Sequence, residues 1–106
     1  MPILPNSAAA ATAQRSPSPE SLLELSLAYH RAGRFQDCIT APKAALRLRP
    51  DYAEAYNNIA AGYQSLGMWD EAIQAASEAL RIKPDFQVAR NNQAYSQAQK
   101  RAARVE

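Results

Sequence analysis

Apolar side chains in residues 53–86, AEAYNNIAAGYQSLGMWDEAIQAASEALRIKPDF, recur at intervals of three and four on either side of Gly67. Tyr56, Ile59, Ala60 and Tyr63 fall on one face of a predicted helix over about Tyr52 to Leu66, and Ala72, Ile73, Ala76, Ala79 and Leu80 on one face of a second over Trp69 to Ile82. Gly67 supplies the stop between them, and Pro84 cannot continue the second helix. So short a link makes the pair an antiparallel hairpin, and such a hairpin cannot bury its apolar face alone.

The same pattern stands earlier in the chain. Leu22, Leu25, Ala28 and Tyr29 mark a helix over about Pro19 to Ala32, Gly33 ends it, and Phe35 to about Leu48 forms the next, carrying Phe35, Cys38, Ile39, Ala45, Leu46 and Leu48. Shifting the chain by 34 positions lays 19–52 on 53–86 with ten identities, among them Tyr29 on Tyr63, Gly33 on Gly67, Ile39 on Ile73, Pro50 on Pro84 and Asp51 on Asp85. A fifth helix, about Phe86 to Arg104, is rich in Asn, Gln, Ala and basic residues and reads as a cap on the stack.

Local chemistry sets the ends. Ser18 can accept from an orphan amide, Pro19 suits the first helical position, and Glu20 meets the positive end of the dipole. Asp51 and Glu54 have the spacing of a reciprocal cap for the third helix. Pro42 is inconsistent with its own helix, because it removes the bond to the Cys38 carbonyl and clashes with it, at a cost of about 3 kcal/mol. The expectation is a kink or break between Cys38 and Pro42, with Thr40 or Ala41 as a new helix start.

These residues resemble the tetratricopeptide repeat. In the second unit Tyr56 takes the first aromatic position, Ile59 and Ala60 the Leu-Gly pair, Tyr63 the tyrosine, Ala72 and Ala79 the small contacts and Pro84 the proline, with only Ala76 departing at the second aromatic. In the first unit Leu22, Leu25, Ser26, Tyr29, Cys38, Ala45 and Pro50 fit, and Pro42 holds the second aromatic position. The resemblance implies an all-α fold of antiparallel helical hairpins stacked as a short right-handed α-solenoid: repeat 1 over 19–52, repeat 2 over 53–86 and a capping helix over 86–104, within a domain of 18–106. Residues 1–17, with Pro2, Pro5 and Pro17 among Ala, Ser and Thr, read as a flexible tail.

In that family the first helix of each unit lines a concave groove. The residues it implies for contact with a peptide or partner are Glu24 and Leu27 from unit one, Asn57, Asn58, Ala61 and Gln64 from unit two, and Asn91, Asn92 and Tyr95 from the cap. An amide side chain both donates and accepts, which suits the backbone of an extended peptide. Asn58 and Asn92 resemble the asparagine ladder of tetratricopeptide superhelices attached to glycosyltransferases, although Glu24 holds the matching place in unit one. The two-carboxylate clamp of chaperone-tail binders is matched only at Asn58, since Leu23, Leu27, Val88 and Asn92 stand at its other positions. Binding of an acidic carboxy terminus is therefore not expected.

Composition narrows the function classes further. The 106 residues carry 12 Lys and Arg against 10 Asp and Glu, a net charge of +2 that gives no reason to expect nucleic acid. Cys38 and His30 each occur once, so no zinc ligand set is present, and no nucleophile and base pair or phosphate loop appears. The reading is a non-catalytic interaction module with no cofactor. The competing readings are an accessory or excerpted domain of a larger enzyme such as a glycosyltransferase, and a self-associating homo-oligomeric unit. No run approaches the roughly 20 apolar residues of a membrane span. The amino terminus lacks a basic region and a strong apolar region, so a cytoplasmic location is expected, with export as the alternative suggested by Ala11-Thr12-Ala13.

Overall fold

The computed structural model describes residues 17–104, and these hold five α-helices and no strand. They are α1 (Pro19–Arg31), α2 (Phe35–Leu48), α3 (Ala53–Ser65), α4 (Trp69–Ile82) and α5 (Gln87–Arg104). Residues 1–16, which hold all but the last residue of the tail expected over 1–17 and the Ala11-Thr12-Ala13 of the export alternative, lie outside the described part. Every expected helix is present, with ends within about one residue of those read from the sequence.

The two hairpin turns are built alike. Gly33 and Gly67 have φ of 74° and 71°, and the residue after each donates back across the helix end, Arg34 N to Tyr29 O and Met68 N to Tyr63 O, both at 2.9 Å. This closes the last helical turn and reverses the chain, and only glycine takes such a φ without strain. At the start of α1 the Ser18 hydroxyl accepts from Ser21 N at 3.0 Å while the Ser21 hydroxyl accepts from Ser18 N at 2.9 Å. That is the reciprocal cap, with serine rather than glutamate as the second partner.

Consecutive helices pack on one another, α1 also meets α3 and α3 also meets α5, whereas the backbones of α2 and α4 stay further apart. The odd helices therefore form the inner layer of a curved stack and the even helices splay on its outer side. Small residues allow this closeness: Ala45, Ala60, Ala72, Ala76, Ala79 and Ala89 are fully buried between backbones. Ile39, Ile59, Ala60, Ala75 and Ala76 form the central cluster, with Leu46, Tyr63 and Leu66 packed against it. Gly62 completes the approach, since a Cβ there would lie 2.6 Å from Ile39 Cγ1.

Three local expectations are corrected. The helix does not break at Pro42: α2 is continuous from Phe35 to Leu48, and Thr40 lies within it with its hydroxyl donating to Gln36 O at 3.0 Å. The reason is a replacement donor. Ser26 of α1, fully buried, donates its hydroxyl to the Cys38 carbonyl at 2.7 Å, the acceptor that Pro42 has no N–H to satisfy. In unit two the corresponding residues are Ala60, Ala72 and Ala76, so serine and proline replace two alanines together. The Asp51 and Glu54 cap does not form, because Tyr52 is the residue at the cap and has no side-chain cap bond, while Glu54 turns to Lys83, 3.8 Å away. Leu48, expected to belong to the apolar face, is 57% exposed at the end of α2.

Candidate functional site

On the inner side α1, α3 and α5 leave a cavity of about 270 Å³. Leu27 of α1 and Val88 of α5 give it apolar walls, and both are among the most exposed large hydrophobic side chains, at 45% and 54%. Asn57, Asn58 and Ala61 of α3 and Asn92 of α5 line it as well. Buried Ser26 of α1 and Cys38 of α2 line it too, together with half-buried His30 of α1. No lysine, arginine, aspartate or glutamate lines it.

The asparagines have distinct surroundings. Asn92 Nδ2 donates to Asn57 Oδ1 at 2.8 Å, which ties α5 to α3 and accounts for the burial of Asn57. Asn58 Nδ2 is buried and has no hydrogen-bond partner. An amide hydrogen shielded from water without an acceptor costs about 1–3 kcal/mol, so this group has a strong demand for a carbonyl or other acceptor. The Asn58 backbone is held from behind, its carbonyl accepting from Cys38 Sγ at 3.9 Å.

His30 Nε2 lies 3.2 Å from Ser65 Oγ, and its ring meets Phe35 edge to face at 5.3 Å, fixing the imidazole at the cavity edge. Cys38 is 2% exposed, and burial pushes its thiol above the ordinary range despite the opposing effect of the hydrogen-bond contact between its sulfur and the Ser26 hydroxyl. A protonated, inaccessible thiol is a packing group rather than a nucleophile.

Of the nine residues singled out in the sequence, Leu27, Asn57, Asn58, Ala61 and Asn92 share this cavity. The other four lie outside its lining. Glu24 is exposed on α1. Gln64 Oε1 accepts from Ser96 Oγ at 3.3 Å and Asn91 Oδ1 accepts from Gln87 Nε2 at 2.8 Å, so both amides face α5 partners. Tyr95 packs edge to face on Trp69, ring centres 6.2 Å apart. Ser26 and Cys38 line the cavity although their small size and helical phase marked them only as packing residues. Among the described residues no group of His, Cys, Asp and Glu could hold a metal ion, and no helix is long and apolar enough to cross a membrane.

Comparison with known proteins bears on the whole arrangement. Residues 53–86 match the family model described as Tetratricopeptide repeat. A solved structure described as "First TPR of Spaghetti (RPAP3) bound to HSP90 peptide SRMEEVD" superposes with a TM-score of 0.79 at 21% identity, over 85% of this chain and 72% of that one. A second, "Crystal structure of MamA protein", superposes with a TM-score of 0.80 at 30% identity, over 92% of this chain. The chain spans 55% of the length of that protein. No curated relative matches the sequence.

Proposed function

We propose that this tetratricopeptide repeat chain is a non-catalytic protein-interaction module that holds an extended peptide or partner helix in its inner groove. The observation that carries the reading is Asn58 Nδ2, a buried donor without a partner in a cavity whose apolar walls include Leu27, Ala61 and Val88. A peptide carbonyl would satisfy the amide, and an apolar side chain of the same peptide would cover Leu27 and Val88. The relative of the same fold that is described as bound to an HSP90 peptide lends support to the use of such a groove for peptides. Its peptide is acidic, whereas the groove here has no cationic side chain in its lining, so the sequence bound would differ.

Selection from a random peptide display library tests the proposal. The expected result is a family of peptides whose binding falls at least tenfold on Asn58→Ala, a loss of about 1.4 kcal/mol or more, with the helical circular dichroism unchanged. Peptides that bind the Asn58→Ala and Leu27→Glu variants as well as the parent would refute the groove as the site.

A further inference from the structure

A second regularity of the repeat consists of a ring, a carboxylate and a cation. In unit one the Arg34 guanidinium lies 5.0 Å from the centre of the Tyr29 ring and 2.8 Å from Asp37 Oδ2. Arg49 likewise lies 4.7 Å from the Tyr52 ring and is paired with Glu20. One period later Lys83 lies 4.8 Å from the Phe86 ring and 3.8 Å from Glu54. Each is a cation held between an aromatic face and a carboxylate, an arrangement that a flat guanidinium suits best.

The 34-residue shift carries Tyr29 onto Tyr63 and Asp37 onto Glu71, but Arg34 onto Met68. Unit two thus keeps the ring and the carboxylate and exchanges the arginine for a thioether. Lys43 of α2 reaches Tyr63 only in part: Nζ donates to the phenolic oxygen at 3.3 Å and lies 5.8 Å from the ring centre. Among the described residues Glu71 is in no ion pair, whereas Glu78 is held by Arg81 at 2.7 Å. Tyr63 and Glu71 both line a cavity of about 320 Å³ on the outer side, where α2 and α4 diverge, with Leu46, Ile59 and Ala75 as apolar walls.

We propose that this outer groove is a second binding site, which takes an arginine side chain of a partner protein. The guanidinium lies between the Tyr63 ring and the Glu71 carboxylate, and its methylene stem runs along Leu46, Ile59 and Ala75. Charge is compatible with a cation at one carboxylate: Glu71 is the acidic group of the lining left without an ion pair, since Glu78 is held by Arg81 and the ammonium of Lys43 is directed to the Tyr63 hydroxyl. The volume is at the small end of ligand pockets, about 300 Å³, and so fits one side chain rather than a large molecule. The groove shares no lining residue with the inner cavity, so both can be occupied together.

Titration of the intact chain with n-butylguanidinium chloride, followed by two-dimensional NMR, tests the assignment, with n-butylurea as the neutral control of the same shape. The expected result is saturable shifts at Tyr63, Glu71 and Ala75 with the guanidinium and none with the urea. Glu71→Gln weakens the response about fivefold, the change an exposed ion pair supports. Lys43→Gln strengthens it by removing the competing charge, and Asn58→Ala leaves it unchanged. No saturable shift, an equal response to n-butylurea, or a titration unaltered by Glu71→Gln overturns the proposal.

Discussion

Removing the Ser26 hydroxyl should destabilise the protein through a carbonyl twelve residues away. In Ser26→Ala the buried Cys38 carbonyl loses its donor, and Pro42 has no N–H to replace it. The cost of such an orphaned group is about 1–3 kcal/mol. At roughly 4–8 °C per kcal/mol for a domain of this size, Tm should fall by roughly 5–20 °C. In a Pro42→Ala background the backbone N–H of residue 42 can bond to Cys38 O as in an ordinary helix, so the same Ser26→Ala change should cost about 0.5 kcal/mol, the scale of a substitution that leaves no orphan. Urea unfolding of the four proteins, followed by far-UV circular dichroism, gives the coupling free energy directly. A value of about 1–2 kcal/mol supports the account. Additivity within about 0.5 kcal/mol, the scatter expected of independent sites, refutes it.

Further outcomes follow from the same structure. Ala76→Pro should cost about 3 kcal/mol as an interior helix proline, and adding Ala60→Ser should return about 1 kcal/mol by recreating the hydroxyl donor of unit one, measured by the same unfolding assay. Gly33→Ala meets no atom within 4 Å of the new Cβ, so its loss of about 1–2 kcal/mol is the strain of φ at 74° alone. Gly62→Ala loses about 1–3 kcal/mol for the opposite reason, the close approach to Ile39. Burial raises the Cys38 thiol in the folded state, so as pH rises through the ordinary thiol value of about 8.5 the unfolded chain releases its proton first and stability falls. A Cys38→Ala variant should show a shallower decline of Tm across that alkaline window.

The helices and their pairing were legible in the sequence because three signals agreed: apolar spacing, the glycines at 33 and 67, and a 34-residue period. Where single residues were weighed alone the reading failed. Pro42 announces a break only if its carbonyl partner is assumed to lack another donor, and the donor, Ser26, lies on a different helix. The pairing is visible in retrospect as two departures from the second unit that occur together. Asp51 has capping chemistry but stands one residue too early, with Tyr52 at the cap. At the groove, the family resemblance implied Leu27, Asn58, Ala61 and Asn92 as neighbours on one surface, and all four line the inner cavity. It could not distinguish Asn57, which is spent on Asn92, from Asn58, which has no partner, because that depends on how closely α5 approaches α3.

The central claim is that the inner groove receives a peptide at Asn58. Amide chemical-shift mapping of the intact chain with a display-selected peptide tests it most directly, since it reads the site without assuming which side chain dominates. The account predicts the largest shifts at Leu27, Asn58, Ala61, Val88 and Asn92, with the Asn58 side-chain amide moving to a hydrogen-bonded position. Shifts confined to residues outside that set, with the Asn58 side-chain amide unmoved at saturation, would contradict it.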